Sequence, residues 1–589
     1  MKTFLRLLGF LRPYRSGVIW SLVFAGLAMV FTVAIPWLTG RVIDEVRQHD
    51  KHTLSMLALA IVGAGILRLA LTVARRLVAG KVSLGVEVDL REGMYGHLQS
   101  LELSFFDGQQ TGQLMSRATV DLQSVRFFLG YGLIWMLQSF LSILLAAVAM
   151  IIIDPGLALI TLIPVPFVVL VAQRYGRRSR PALQEVQQRL GELTAEAEEN
   201  ISGVRVVKAF AREDRQYARF ERAVARVFDQ SMLSTHLRAF YTPFIGFLPQ
   251  LGLAALLFFG GRRVVDGSLT LGQFTAFYAY VLMLVGPMRW LGMSLGMAQR
   301  ATASGARVFE LLDRAPRIVA PADPAPLPAG NGRVELRYVT LQYEGASKPA
   351  LRGVSLDVDP GTTVALVGAT GSGKTTLVQL LPRLYDPTSG SVLVDGADVR
   401  TLDLTELRSA IALVTDDPFL FSASVHENIA YAREGASRED VESAARRAQA
   451  HEFITRLPDG YDTRVGERGL TLSGGQRQRI AIARALLADP RILVLDDATS
   501  SVDASTEQQI KVALREAMQG RTTFVIAHRL STIALADEIV VLEGGQLIER
   551  GTHDELLSRS PFYREIVEKG LPDQVFLNRV SPEREVAGL

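Results

Sequence analysis

The stretch "RILVLDDATSSVDAS" ends an aliphatic run, 492–495, in two carboxylates, Asp496 and Asp497. That pattern describes a core strand that delivers acids to its tip. One carboxylate there can hold Mg²⁺, directly or through water, and the next position can supply the base that polarises an attacking water. Such a pair needs a phosphate nearby. "GATGSGKTT", 368–376, follows the strand-like "TVALV" and opens the helical "TTLVQLLPRLY". Strand, glycine-rich turn and helix are the context a P-loop requires. Gly368, Gly371 and Gly373, with Ala369, Thr370 and Ser372 among them, let backbone N–H groups wrap a phosphate, and the helix N-terminus adds positive potential. Lys374 then reaches the β- and γ-phosphates, Thr375 places its hydroxyl on Mg²⁺, and Thr376 closes the set of residues expected to bind the nucleotide. A third stretch, "LSGGQRQRIAIARAL" (472–486), starts another anion-binding helix at Ser473, Gly474, Gly475 and Gln476. The P-loop already covers the phosphates of one nucleotide. The second site is therefore expected to serve a nucleotide held by another domain.

These residues need a scaffold. From 333 onward, short β-branched runs alternate with helical segments, which predicts an α/β domain with a largely parallel sheet over 333–570. A Pro/Ala-rich stretch, 315–332, is a composition break and reads as a linker; 571–589 reads as a tail. Residues 1–314 differ in kind. Six apolar runs, at 17–38, 54–79, 127–153, 156–173, 240–261 and 271–297, match the thickness of a bilayer core. The connections after the second and fourth runs are long, polar and arginine-rich. The positive-inside rule places them and both termini in the cytoplasm. The opening "MKTFLRLLGFLRPYRSG" reads as an amphipathic helix on the inner membrane surface, not a cleaved signal.

The 589-residue chain is too long for one core, and 21% charged residues alongside long apolar runs fit a membrane half joined to a soluble half. Absence of cysteine excludes disulfides and thiol chemistry, and a net charge of +3 gives no support to nucleic-acid binding. Within the membrane half, Arg68, Arg289, Gln138, Gln250 and Trp290 are candidate cavity residues. For Arg68 and Arg289 two readings stay open: attraction of an anionic substrate group, or snorkelling and helix–helix hydrogen bonds.

Taken together, these motifs resemble a half-transporter of the ATP-binding cassette (ABC) exporter type, over nearly the whole chain. Residues 368–376 resemble the Walker A loop, 492–496 the Walker B strand, 472–476 the ABC signature, 500–503 ("SSVD") the D-loop, and His528 the switch histidine. Tyr343 resembles the aromatic that stacks on adenine, and "TRVGERG" (463–469) a segment that contacts the membrane helices. Residues 103–125 and 199–215 resemble the two cytoplasmic regions that dock on cassettes. The resemblance implies an α-helical transmembrane domain followed by a P-loop domain, ATP and Mg²⁺ as ligands, and a multi-pass protein of the inner membrane. It also implies a dimer of cassettes, each site completed by the other chain's signature.

Two positions depart from the family pattern. Asp497 stands where the family usually has Glu, and Asp416, in "VTDDPFLF", where it usually has a Gln that helps bind Mg²⁺. Asp416 could still meet the metal, but it adds charge and loses a donor. With an intact signature and a short general base, the chain resembles the degenerate-site half of a heterodimeric exporter of drugs or lipids. Its expected partner is a different half-transporter with the usual Glu. A homodimer with slow turnover and an importer built on the exporter fold remain the alternatives.

Overall fold

The computed structural model describes residues 2–48, 50–466, 469, 471–496, 504–527 and 530–568. The chain forms two compact units, Met1–Gln99 with Thr111–Arg314, and Ser100–Gln110 with Ala315–Leu589.

The first unit is helical. α1 (Lys2–Gly9) is amphipathic: Leu7 is buried against Gly305, where a Cβ would come within 2.8 Å of a Leu7 methyl. Arg6 grips Asp313 through two bonds, 2.6 and 2.7 Å, while its guanidinium lies 3.9 Å from the Phe309 ring. The helices α2 (Arg15–Gln48) and α3 (Lys51–Ser100) follow. A short helix, α4 (Leu103–Asp107), belongs to the second unit. The chain then continues as α5 (Thr111–Ile153), α6 (Pro155–Ser202, interrupted at Ile163 before Pro164), the short α7 (Val204–Ala209), α8 (Glu213–Val265) and α9 (Leu271–Leu312). The five helices α2, α3, α5, α6 and α8 are long and apolar enough to cross a membrane, and α9 opens with a shorter apolar stretch, Leu271–Pro287.

The polar connections expected after the second and fourth apolar runs are largely helix. An apolar run marks only what a bilayer would cover. Beyond it the sequence keeps strong helix formers and i,i+4 ion pairs, such as Arg91–Glu87 at 2.7 Å and Arg189–Glu185 at 2.8 Å, so the helices continue well past the apolar runs. At the opposite ends the turns are short. Asp44 of α2 accepts from the Thr270 hydroxyl (2.7 Å) and the Gly272 N–H (2.8 Å), tying α2 to the start of α9. Asp154 caps α6 through Leu157 N–H (2.9 Å) and pairs with Arg263.

The second unit holds two sheets. One is antiparallel, in the order β2 (Leu351–Val358), β1 (Val334–Leu341), β4 (Ser389–Val394), β5 (Ala397–Asp398). The other has the order β10 (Gln546–Gly551), β9 (Glu538–Glu543), β3 (Thr363–Gly368), β8 (Thr522–Ile526), β7 (Ile492–Asp496), β6 (Ile411–Val414). All but β10 run parallel. β3 and β8 are buried along their whole length, and both read as near-continuous runs rather than alternations, as strands covered on both faces do. Segment 315–332 is irregular but anchored. Leu327 N–H donates to Glu406, and Gly332 N–H to Asp395, each near 2.9 Å.

α4 packs on this unit's core through Leu103, and Phe105 is buried. Glu102 accepts from Arg317 N–H at 3.0 Å, and Asp107 accepts from the Tyr385 hydroxyl. Burial, reinforced by Asp107, pushes the Tyr385 phenol well above its ordinary range. Of the region 103–125 expected to dock, only the part up to Gln110 joins this unit. The 199–215 region belongs to the helical unit and leaves Ile201, Val206 and Phe210 exposed.

Candidate nucleotide site

The buried strand β3 ends at Gly368 and turns into a short helix, α10 (Lys374–Gln379). Gly373, immediately before α10, has φ 100°, and a Cβ there would lie 2.7 Å from the Ala350 carbonyl. Only glycine meets both demands. Lys374 is buried, and its Nζ donates to the carbonyls of Gly368 and Ala369, both at 2.8 Å. The buried Ser372 hydroxyl has no hydrogen-bond partner among the described residues. An orphaned buried hydroxyl on a glycine-rich turn that also carries a lysine suits an anion, and a phosphate group meets that need.

Two strands away, β7 brings Asp496 to the same edge. Leu366 of β3 and Asp496 of β7 are both level with Ile526 of β8. Two strand spacings put their backbones roughly 10 Å apart, a gap that phosphates and a metal ion can fill. β6 lies beside β7 with Val414 opposite Leu495, so the exposed Asp416 stands just past the same edge. Among the described residues no three His, Asp or Glu side chains converge on a point. Mg²⁺ is usually held by one or two carboxylates together with substrate phosphates, and Asp496 and Asp416 supply carboxylates near this edge. Here Thr375, Asp496 and Asp416 would hold it, and when bound it would neutralise charge on the phosphate oxygens.

Tyr343 lies just past β1, and its hydroxyl donates to Thr376 at 3.0 Å, which sets a half-buried ring at the foot of the P-loop helix. Tyr385 meets that ring edge-on, with centroids 5.2 Å apart. Ser473 and Gln476 form a capping box at the start of α11 (Gly474–Ala488): Gln476 N–H donates to the Ser473 hydroxyl (3.3 Å), and Ser473 N–H to the Gln476 amide (2.9 Å). The N–H groups of Gly474 and Gly475, in the first turn, have no partner within the helix. α11 is fastened on the helical side of the unit. Arg479 donates to the Gln449 carbonyl (2.9 Å) and Arg484 to that of Asn428 (2.8 Å).

Asp497, His528 and 500–503 lie outside the described residues. So do Glu467 and Arg468 in 463–469; the start of that segment pairs with 423–425 through Val425 N–H to Thr463 O (3.0 Å) and Val465 N–H to Ala423 O (2.8 Å). In the helical unit, Arg68 and Gln250 are exposed and Gln138 half-buried. Trp290 packs on Trp135 with centroids 5.2 Å apart, and the Arg289 side chain is outside the described residues.

Two contacts escaped the reading of the sequence. Asp417, next to Asp416, pairs with Arg477 of α11 at 3.1 Å, joining the loop after β6 to the signature helix. The other is the bond between Tyr385 and Asp107. Neither pair has a local signal, because its partners are far apart in sequence.

Comparison with known proteins gives two family matches: residues 18–288 match the ABC transporter transmembrane region, and residues 351–500 match the ABC transporter family. The chain is 38% identical over 579 residues to the ABC transporter ATP-binding protein YknU of Bacillus subtilis (strain 168), covering 98% of this chain and 99% of that one. It is 37% identical to the ATP-dependent lipid A-core flippase of Syntrophus aciditrophicus (strain SB), covering 96% and 94%. It is 40% identical to a multidrug efflux ATP-binding/permease protein of Mycobacterium bovis (strain BCG / Pasteur 1173P2), where 99% of this chain spans 49% of that protein. Among solved structures, a bacterial Atm1-family ABC exporter with ATP bound is similar at TM-score 0.78 and 31% identity, covering 94% of this chain and 98% of that one.

Proposed function

The chain belongs to the ABC transporters of the exporter type, a transmembrane domain followed by an ABC ATPase domain, and on that premise we propose that it is one half of a heterodimeric exporter of an amphipathic drug or lipid. Both cassettes face the cytoplasm in this reading, which the arginine-rich extensions of the long helices support.

The single observation that carries the heterodimer is Asp497. A general base must come within hydrogen-bond reach of its water. Asp is one methylene shorter than the family's Glu, and misplacement of roughly 1 Å can cost about 10²-fold in rate. The groups that would hold ATP and Mg²⁺, namely Lys374, Thr375 and Asp496, are intact. The chain's own site therefore binds ATP but turns over slowly, while Ser473–Gln476 complete the partner's site. The relatives named for lipid A-core and multidrug efflux support the substrate class. The mycobacterial relative, about twice as long, leaves room for a second half on one chain.

Mechanistically, Lys374 and the P-loop N–H groups orient the phosphates, Tyr343 offers a face to the base, and Asp497 positions water. The test is purification of the chain alone and with candidate partner chains. The chain alone should hydrolyse ATP slowly, and Asp497→Glu should raise that rate by about 10²-fold. A brisk ATPase from the chain alone, abolished by Asp497→Asn, would overturn the heterodimer.

A further inference from the structure

Tyr343 sits in a tight turn that follows β1. The turn fixes its backbone: Ala346 N–H donates to the Tyr343 carbonyl (3.1 Å), and the Gln342 amide to the Ala346 carbonyl (2.7 Å). The side chain is held at two further places. Its hydroxyl donates to Thr376 of α10, which pins the far end of the ring. Tyr385 stands nearly perpendicular to that ring, at 89° with centroids 5.2 Å apart, a favoured aromatic arrangement that resists rotation of either plane.

Tyr385 is itself fixed. It is buried, and its hydroxyl donates to Asp107, the last residue of α4. A second route leads from the same segment to the same turn. Glu102, just before α4, accepts from Arg317 N–H, and the Arg317 guanidinium grips Glu344, the neighbour of Tyr343, at 2.8 and 3.3 Å. Segment 100–110 thus reaches Tyr343 twice, through the ring at Asp107 and through the turn at Glu102. The Arg317–Glu344 pair is exposed and adds little by itself, so the weight falls on Tyr385.

We propose that Tyr385 is a positioning residue for the nucleotide base: it holds the Tyr343 ring in the plane on which adenine stacks, and Asp107 holds Tyr385 in turn. This rests on Tyr343 offering its face to the base, as proposed above. A stack needs a flat ring presented in one orientation, and a ring that must be ordered on binding costs affinity. Holding the ring beforehand raises affinity for the base. It does nothing for the phosphates, which meet Lys374 and the P-loop. The link is reciprocal: a base stacked on Tyr343 favours the arrangement in which Tyr385 and Asp107 are bonded. α4 therefore responds to the base and is indifferent to phosphate alone.

Inorganic tripolyphosphate carries the phosphates without the base. The full chain, in whatever assembly it purifies, is titrated by calorimetry with ATP and with tripolyphosphate, both with Mg²⁺, and the ratio of the two affinities is read. Tyr343→Ala should lower the ratio by roughly fivefold or more, the worth of a base stacked on an aromatic ring. Tyr385→Ala should lower it by about threefold to tenfold and leave tripolyphosphate binding unchanged. Asp107→Ala should lower it by about two- to threefold in the native chain, and not at all in a Tyr385→Phe background, where the bond is already gone. Tyr385→Phe alone keeps the ring, should retain most of the ratio, and controls for misfolding. Hydrogen exchange over 103–107 should slow with ATP but not with tripolyphosphate. If Tyr385→Ala weakens both ligands alike, or neither, while Tyr343→Ala lowers the ratio, the positioning role is overturned and the base site stands. Equal slowing of exchange by both ligands overturns the link to α4. A ratio unmoved by Tyr343→Ala overturns the base site itself, and the proposal with it.

Discussion

At the residue scale the site depends on a few side chains whose surroundings differ sharply. Lys374 is buried on the glycine-rich turn, where its Nζ donates to the carbonyls of Gly368 and Ala369. Lys374→Ala should weaken binding of a fluorescent ATP analogue at least tenfold while leaving the secondary structure unchanged by circular dichroism. The buried phenols make a second prediction. Burial raises Tyr461 to about 12 and Tyr563 to about 12 from an ordinary 10.0. Both are neutral in the fold and ionise more readily when unfolded. Their contribution is complete below about pH 10 and is lost as pH rises toward 12. Denaturant midpoints measured at pH 9 and pH 11 should show the drop, and Tyr461→Phe should reduce it. The glycines, Lys374 and the Ser473–Gln476 pair were legible in the sequence because backbone geometry and charge dictate those residue types. The Asp417–Arg477 pair was not, because sixty residues separate its partners.

At the scale of elements, helix identity was easier to read than helix length. The apolar runs located every long helix, but the ends of α3, α6 and α8 lie far beyond them, where helix propensity rather than hydropathy decides. Packing was also hidden: Arg75 and Arg68 look alike in the sequence, yet one is buried and the other exposed. Asp44 joins α2 to α9 through two acceptor contacts. Asp44→Ala should strand the Thr270 hydroxyl and the Gly272 N–H and cost about 1–3 kcal/mol, seen as a lower unfolding temperature in detergent. Asp44→Asn, which keeps one acceptor, should lose less. At the other end, Gly305→Val would drive a side chain into Leu7 and detach α1, which protease cleavage near the N-terminus would report.

For the whole molecule, the alternation of runs along the chain suggested a helical half followed by an α/β half, but not that residues 100–110 join the second unit. What each unit needs from a second chain follows from chemistry. If the signature completes a partner's site and Asp497 is the slow base, two variants of the complex should behave oppositely. Ser473→Arg should abolish most ATPase activity, because it blocks the productive site. Asp497→Asn should change it less than twofold. Equal loss in both would mean two equivalent sites and a symmetric dimer.

The position of α4 has a practical consequence for inheritance and engineering. The polypeptide passes between the units at three points, near 100, 110 and 315, so the unit of exchange is not the stretch of gene after 315. A recombinant that inherits a foreign ATPase half without its matching 100–110 segment pairs one lineage's Tyr385 with another's residue at 107, and loses the Glu102–Arg317 bond as well. Successful chimeras should therefore carry the eleven-residue segment along with the distant half, so that in this protein the heritable module is discontinuous.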